Sequence, residues 1–153
     1  MTSASEALLG VWRVLSYDVR QGSGRLIQPL GPHPLGYLSY DAAGNMSAHL
    51  MRHDLPRLSP EALRLSMRDP EQTESLSPAA AEEIAAAWRG YVGYWGTYTV
   101  DAAAGAIHHQ VVGASLPNMV GTKQTRGFKL EGNQLTLEAD LILGRGILVW
   151  YRG

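Results

Sequence analysis

The chain reads as an all-β fold, an antiparallel barrel or sandwich with a helical insertion between strands. Three observations carry this. Roughly eight or nine short segments of strand character are separated by tight turn signals, a spacing typical of closed or sandwiched antiparallel sheets. The first of these, Leu8 to Asp18, opens with Gly10-Val11-Trp12, a large indole beside an unhindered glycine. Only the segment between Arg52 and Gly90 breaks the β pattern and carries helix-start signals.

Taken in order, the first strand places Trp12, Val14 and Ser16 on one face and Arg13, Leu15 and Tyr17 on the other, because side chains alternate along a strand. Gln21 to Gly24 reads as a turn, and a short strand over Arg25 to Gln28 follows. Pro29, Pro32 and Pro34 then hold the connection extended. Gly36 to Tyr40 and Asn45 to Met51 form a hairpin through Asp41-Ala42-Ala43-Gly44.

In the insertion, about residues 55–90, Ser59-Pro60-Glu61 and Ser77-Pro78 are two helix starts: a cap residue followed by proline at the first helical position. Leu63 and Met67 pair on one face of the first helix. Ile84, Trp88 and Tyr91 line one face of the second, and Gly90 ends it. Asp69 to Ser77 is a polar loop whose acidic residues read as solvated surface. This insertion is a lid or a cover over a barrel mouth. Tyr94 to Val100 pairs with Ala106 to Ala114 across Asp101 to Gly105, and Thr122 to Leu130 with Gln134 to Ala139 across Glu131-Gly132-Asn133. Gly146 to Arg152 closes the chain, and closure would remove exposed sheet edges.

Length and composition exclude several functions. The 153 residues favour one domain, and 45% hydrophobic with 18% charged residues is an ordinary globular balance. A net charge of -1 provides no basic field for nucleic acid. Without cysteine there is no disulfide, thiol nucleophile or cysteine-ligated zinc. No secretory signal and no apolar span is visible, which gives a cytoplasmic expectation without membrane contact. Phosphate-loop, dinucleotide-loop and nucleophile-elbow signatures are absent. No cofactor is expected.

Seven Tyr and four Trp accompany a single Phe, and such side chains pair an apolar body with a polar tip. Tyr17, Tyr37, Tyr91, Tyr94, Trp95 and Tyr98 are therefore pocket candidates, with ordinary core packing as the alternative. Gly96 leaves room between Tyr94 and Tyr98. Lys123 and Lys129 belong in water, which turns Gln124, Arg126 and Phe128 inward. An inward arginine can hold a carboxylate, enolate or carbonyl oxygen. His108 and His109 must face opposite ways, so at most one enters a cavity, and parity alone leaves both open. A cavity histidine can move protons near neutral pH. His49 and His53 have helical spacing but lie on a strand and a loop, so no metal site is expected. Asn118 is a turn residue first and a ligand contact second.

Leu8 to Tyr17, Gly36-Tyr37-Leu38-Ser39-Tyr40, Asp41 to Ala48, Tyr91 to Val100, Ser115 to Gly121 and Gln124-x-Arg126-x-Phe128 together resemble the bacterial and fungal lipocalin-like domain proteins over nearly the whole chain. The resemblance implies an eight-stranded up-and-down barrel, one domain over residues 1–153, with a central cavity for a small, largely apolar molecule. It also implies that an arginine, Arg126 or Arg152, packs across Trp12. Met119 stands where the resemblance puts a tryptophan after Pro117-Asn118.

The expected function is binding of a small hydrophobic or amphipathic molecule. The cavity would be lined by Trp12 to Ser16, Met46 to Leu50, Tyr94 to Tyr98 and Gln124 to Phe128. The alternative is a cofactor-independent cyclase, isomerase or dehydratase of secondary metabolism, acting on a polyketide- or terpenoid-like compound. In that reading Arg126 or a tyrosine polarises an oxygen and His49 or His109 handles protons. The protein is expected as a monomer or homodimer, with Met67 and Trp88 on an apolar surface of the insertion.

Overall fold

A computed structural model describes residues 2–67, 69, 71 and 74–153. Nine strands form one sheet in the order β2-β1-β3-β4-β5-β6-β7-β8-β9, and β1 also pairs with β9. The strands are β1 Gly10–Arg20, β2 Leu26–Ile27, β3 Leu35–Tyr40, β4 Asn45–Met51, β5 Tyr91–Asp101, β6 Ala106–Ala114, β7 Lys123–Glu131, β8 Gln134–Leu141 and β9 Gly144–Tyr151. Each pairs antiparallel with its neighbours, so β1 and β3 to β9 close an eight-stranded up-and-down barrel. The short β2 folds back on the end of β1, Val19 opposite Ile27.

The tight turns follow from side-chain chemistry. Asp41 Oδ1 accepts the backbone N–H groups of Ala43 and Asn45, and Gly44 takes the positive φ of 88° that closes the β3–β4 hairpin. Asp101 caps the β5–β6 turn in the same way through Ala104 N–H.

Among the described residues three α-helices accompany the barrel: α1 Ala4–Leu8, α2 Pro60–Ser66 and α3 Pro78–Arg89. The two expected helix starts are observed. Ser59 Oγ accepts from Ala62 N–H and Ser77 Oγ from Ala80 N–H, with proline in the first turn of each. Between them, residues 70, 72 and 73 of the expected polar loop lie outside the described residues. The α1 turn was not anticipated, although its capping box, Ser3 with Glu6, is legible in the sequence. Leu63 and Met67 do not form a buried face. Both are exposed, as is much of Trp88, and the insertion packs instead through Ala62 and Ala80. No helix among the described residues is long and apolar enough to cross a membrane.

One end of the barrel is closed. Trp12 and Trp150 are buried there with Leu8, Leu38, Ile107 and Leu135. Trp12 Nε1 donates to the Leu8 carbonyl at 2.9 Å, which ties α1 to the barrel floor. The Arg152 guanidinium lies 4.3 Å from the centre of the Trp12 ring and donates to the Leu9 carbonyl. Arg152, not Arg126, is therefore the arginine across Trp12.

The alternation expected along β1 is broken once. The β1–β9 register shifts between Val14 and Ser16, the mark of a β-bulge, which inserts one unpaired residue and reverses the facing of everything after it. Trp12 and Val14 point inward, but beyond the bulge Tyr17 and Val19 do so as well, and Ser16 turns outward. The expected shared face of Trp12, Val14 and Ser16 is corrected by that single insertion.

Candidate functional site

His109 is the one buried polar or charged residue of the core among the described residues, with no exposed surface. It sits on β6 between Ile107 and Val111, whose inward facing fixes its own. His108 points outward, 2.9 Å from Thr125 Oγ1. Both imidazole nitrogens of His109 are engaged. Nε2 lies 2.7 Å from the Tyr40 hydroxyl and Nδ1 lies 2.8 Å from that of Tyr94. Tyr40 from β3 and Tyr94 from β5 thus clamp the imidazole across the barrel. Tyr98 packs its ring on Tyr40 at a centroid distance of 4.6 Å and sends its hydroxyl to the Asp41 carbonyl.

Burial drives the electrostatics of this cluster. It pushes His109 down to about 3, helped by the nearby Arg126 and His108, so the imidazole is neutral at ordinary pH. Burial raises Tyr40 well above the usual phenol value, and raises Tyr17 and Tyr94 against the opposing pull of Arg126. All three are therefore phenols able to donate.

Proton counting then fixes the tautomer. Two hydroxyls and one neutral imidazole bring three protons to two hydrogen bonds. Tyr40 is only 2% exposed and has no other partner, so an unused proton there would be orphaned, at a cost of about 1–3 kcal/mol. Its hydroxyl donates to Nε2, Nδ1–H donates to Tyr94, and the Tyr94 hydroxyl proton remains unspent. Tyr94 is less buried than Tyr40, and its hydroxyl also lies beside the Arg126 guanidinium, so it is the hydroxyl left with the spare proton.

Arg126 and Gln124 extend inward from β7, as the strand parity predicts. Arg126 donates to the Thr125 carbonyl at 3.2 Å and lies at the long distance of 3.5 Å from Gln124 Oε1. Gln124 in turn donates to Thr122 Oγ1. Beside these residues the barrel wall is open. The β7–β8 ladder runs from Gly127 opposite Glu138 to Glu131 opposite Gln134, which leaves Lys123 to Arg126 unpaired with Ala139 to Leu141. A cleft of about 380 Å³ occupies that gap, with Gln124, Arg126 and Ala139 on its inner side and Lys123, Glu138, Asp140 and Arg145 on its outer side. Its size is that of a small-molecule site.

The remaining expected site residues divide between wall and exterior. Met46 is buried on the inner wall, and Phe128 packs against the core with some surface left. Trp12 belongs to the closed end. Four candidates are corrected, because their strand positions face outward. Tyr37 is half exposed beneath the Arg13 guanidinium. Trp95 lies outside across Gly113, and Gly113 has no side chain because the indole occupies that space. His49 is exposed, with Nδ1 2.6 Å from the Tyr91 hydroxyl, so it cannot share a proton with the interior, and Tyr91 is outside with it. Asn118 is exposed in a single 3-10 turn, Pro117–Met119. Tyr40 was missed. It was legible, since it alternates with Leu38 on β3 and so stands opposite in facing to Tyr37. No cluster of groups able to hold a metal ion occurs among the described residues.

The sequence profile of the lipocalin-like domain matches residues 9–152. The chain belongs to the lipocalin-like domain family. No curated protein matches it significantly. Among solved structures, a redesigned β-barrel aligns over 100% of this chain and 97% of its own, at 10% identity and a TM-score of 0.45. This lipocalin-like domain thus has a barrel interior open toward one side wall, with a polar cluster set in otherwise apolar lining.

Proposed function

We propose that this lipocalin-like domain binds a small hydrophobic or amphipathic molecule that carries at least one oxygen. The observation that supports this is the hydrogen-bonded chain Tyr40–His109–Tyr94 inside the barrel, which ends on a donor with no protein acceptor. Val92, Tyr98, Phe128 and Leu148 face the same interior and keep part of their surface accessible, so apolar contact is available next to the polar group. Fluorescence titration with 8-anilinonaphthalene-1-sulfonate tests the reading, because the dye brightens in apolar pockets. Saturable binding to the native protein, weakened by the interior-filling substitution Val92→Trp, is the expected result. Unchanged binding in a folded V92W protein would place the dye on the outer surface and refute the proposal.

A second reading is favoured by one feature, the convergence of Tyr94, His109 and Arg126 from three strands. A cofactor-independent cyclase, isomerase or dehydratase would use such a group. In it Arg126 polarises an oxygen and Tyr94 donates a proton, while His109, neutral and engaged at both nitrogens, orients Tyr94. His109 is poorly suited to be the base at neutral pH, because burial holds it down to about 3. Incubation with a small-molecule extract of the source cells, followed by mass spectrometry, separates the readings. A mass retained unchanged supports a carrier; a protein-dependent conversion that Arg126→Met abolishes supports the enzyme.

A further inference from the structure

The barrel interior holds more hydrogen-bond donors than acceptors, and it holds a cation without a counter-charge. Each strand that packs around the cluster contributes to this imbalance. Tyr17 from β1, Tyr40 from β3, Tyr94 and Tyr98 from β5, His109 from β6 and Arg126 from β7 are the titratable groups that face it, and the Tyr98 hydroxyl is spent on the Asp41 carbonyl. No aspartate or glutamate among the described residues points inward. Glu138 and Asp140 line the cleft, but both are engaged with Arg145 on its outer side. Arg126 has no carboxylate partner among the described residues; it donates to one backbone carbonyl, makes a long approach to the Gln124 amide oxygen and lies beside the Tyr94 hydroxyl.

Two further donors beside Arg126 are unspent. The Tyr94 hydroxyl proton is left over once His109 Nδ1–H and Tyr40 are paired. The Tyr17 hydroxyl, partly buried beside Arg126, has no recorded partner among the described residues. Both hydroxyls lie beside the Arg126 guanidinium, so one acceptor placed among them would meet all three donors. A neutral carbonyl would satisfy the hydrogen bonds but leave the guanidinium without a counter-charge. An anionic oxygen satisfies both.

We infer that the interior is an oxyanion site: Arg126 and the Tyr94 hydroxyl together bind the deprotonated oxygen of an aromatic or enolic alcohol, or a carboxylate, in preference to its neutral form. This rests on the proposed binding of a small molecule and specifies its charge. Arg126 supplies the charge and a planar donor edge suited to oxygen anions. Tyr94 supplies a directed donor, held by His109 and, through it, by Tyr40. The gap between β7 and β8 lets a ligand reach Arg126 through the side wall. A ligand whose oxygen titrates in the neutral range would be captured as the anion, and its own pKa would fall on binding.

That fall is the measurement. 4-Nitrophenol reports its ionisation through its visible absorbance band, and its pKa is read free and at saturating protein. A lowering of the bound value by one to three units, the range a neighbouring guanidinium produces, is expected. Arg126→Met should remove the lowering, Arg126→Lys should restore part of it, and Tyr94→Phe should reduce it, each with unchanged far-ultraviolet circular dichroism. Arg126→Lys also serves should the methionine variant fail to fold. A bound pKa equal to or above the free value overturns the inference, as does a lowering that survives in Arg126→Met. Absence of nitrophenol binding in a protein that still binds 8-anilinonaphthalene-1-sulfonate in its interior also overturns it, while leaving the small-molecule reading standing. Absence of interior binding of both probes removes both.

Discussion

Replacing His109 with glutamine should flatten the acid sensitivity of the fold. Burial holds the His109 pKa at about 3, whereas the same imidazole in the unfolded chain titrates near its ordinary 6.5. Between those values the unfolded state binds the proton and the folded state does not. Stability therefore falls as pH drops below about 6.5, and the loss continues until the folded imidazole itself titrates. At pH 5 the loss is about 2 kcal/mol relative to pH 8, a substantial part of a typical domain stability of about 5–15 kcal/mol. The lowered carboxylates Glu6, Asp41 and Asp54 act in the same direction, but their ordinary values are 4.5, 3.8 and 3.8, so they contribute mainly below pH 5. The window from pH 7 to 5 isolates the histidine. Urea unfolding followed by tryptophan fluorescence across that window should give a falling midpoint for the native chain and a nearly level one for His109→Gln. Glutamine can accept from Tyr40 and donate to Tyr94, but its geometry differs, and the variant should start about 1–2 kcal/mol less stable at pH 7.5. Parallel pH profiles for the two proteins would refute the placement of a neutral His109 between the two tyrosines.

Other substitutions probe separate parts of the account. Arg152→Met should cost about 1–2 kcal/mol, the stacking on Trp12 and the hydrogen bond to Leu9, and should leave 8-anilinonaphthalene-1-sulfonate binding intact, as read by urea unfolding and dye titration. Gly96→Ala should destabilise by about 1–3 kcal/mol, because a Cβ there strikes the Gln110 carbonyl across the β5–β6 pair, and thermal unfolding would show it. His49→Ala should change stability by no more than about 0.5 kcal/mol and leave dye affinity unchanged, since His49 and its partner Tyr91 lie outside. A loss of dye binding in His49→Ala would contradict that facing.

The architecture was legible because turn residues and alternation are local. Asp41 to Gly44 and Asp101 to Gly105 mark their hairpins by chemistry that acts within four or five residues. The inward set Gln124, Arg126 and Phe128 followed from one premise, that Lys123 and Lys129 belong in water. What failed was parity where no such anchor exists. Tyr17 changes face through a bulge at Val14 to Ser16, and a bulge is set by pairing with β9, residues far away in sequence. Tyr37 and Trp95 looked like pocket residues by composition, yet each is one position out of phase with its inward neighbours, Leu38 and Tyr94. The choice between His108 and His109 could not be read locally either. It is decided by Tyr40 and Tyr94, which reach the imidazole from strands that only barrel closure brings together. The open β7–β8 seam is likewise a property of two strands diverging, which neither strand's sequence displays.

In the proposed complex a ligand oxygen is received inside the barrel by Arg126 and Tyr94. A crystal structure of the protein with 8-anilinonaphthalene-1-sulfonate tests it most directly. The sulfonate should lie within hydrogen-bond distance of the Arg126 guanidinium and the Tyr94 hydroxyl, with the aromatic rings against Val92 and Leu148. Dye seated on the outer face by Trp95 and Tyr91, or on the exposed Trp88 and Met67 of the insertion, with Arg126 untouched, would contradict it.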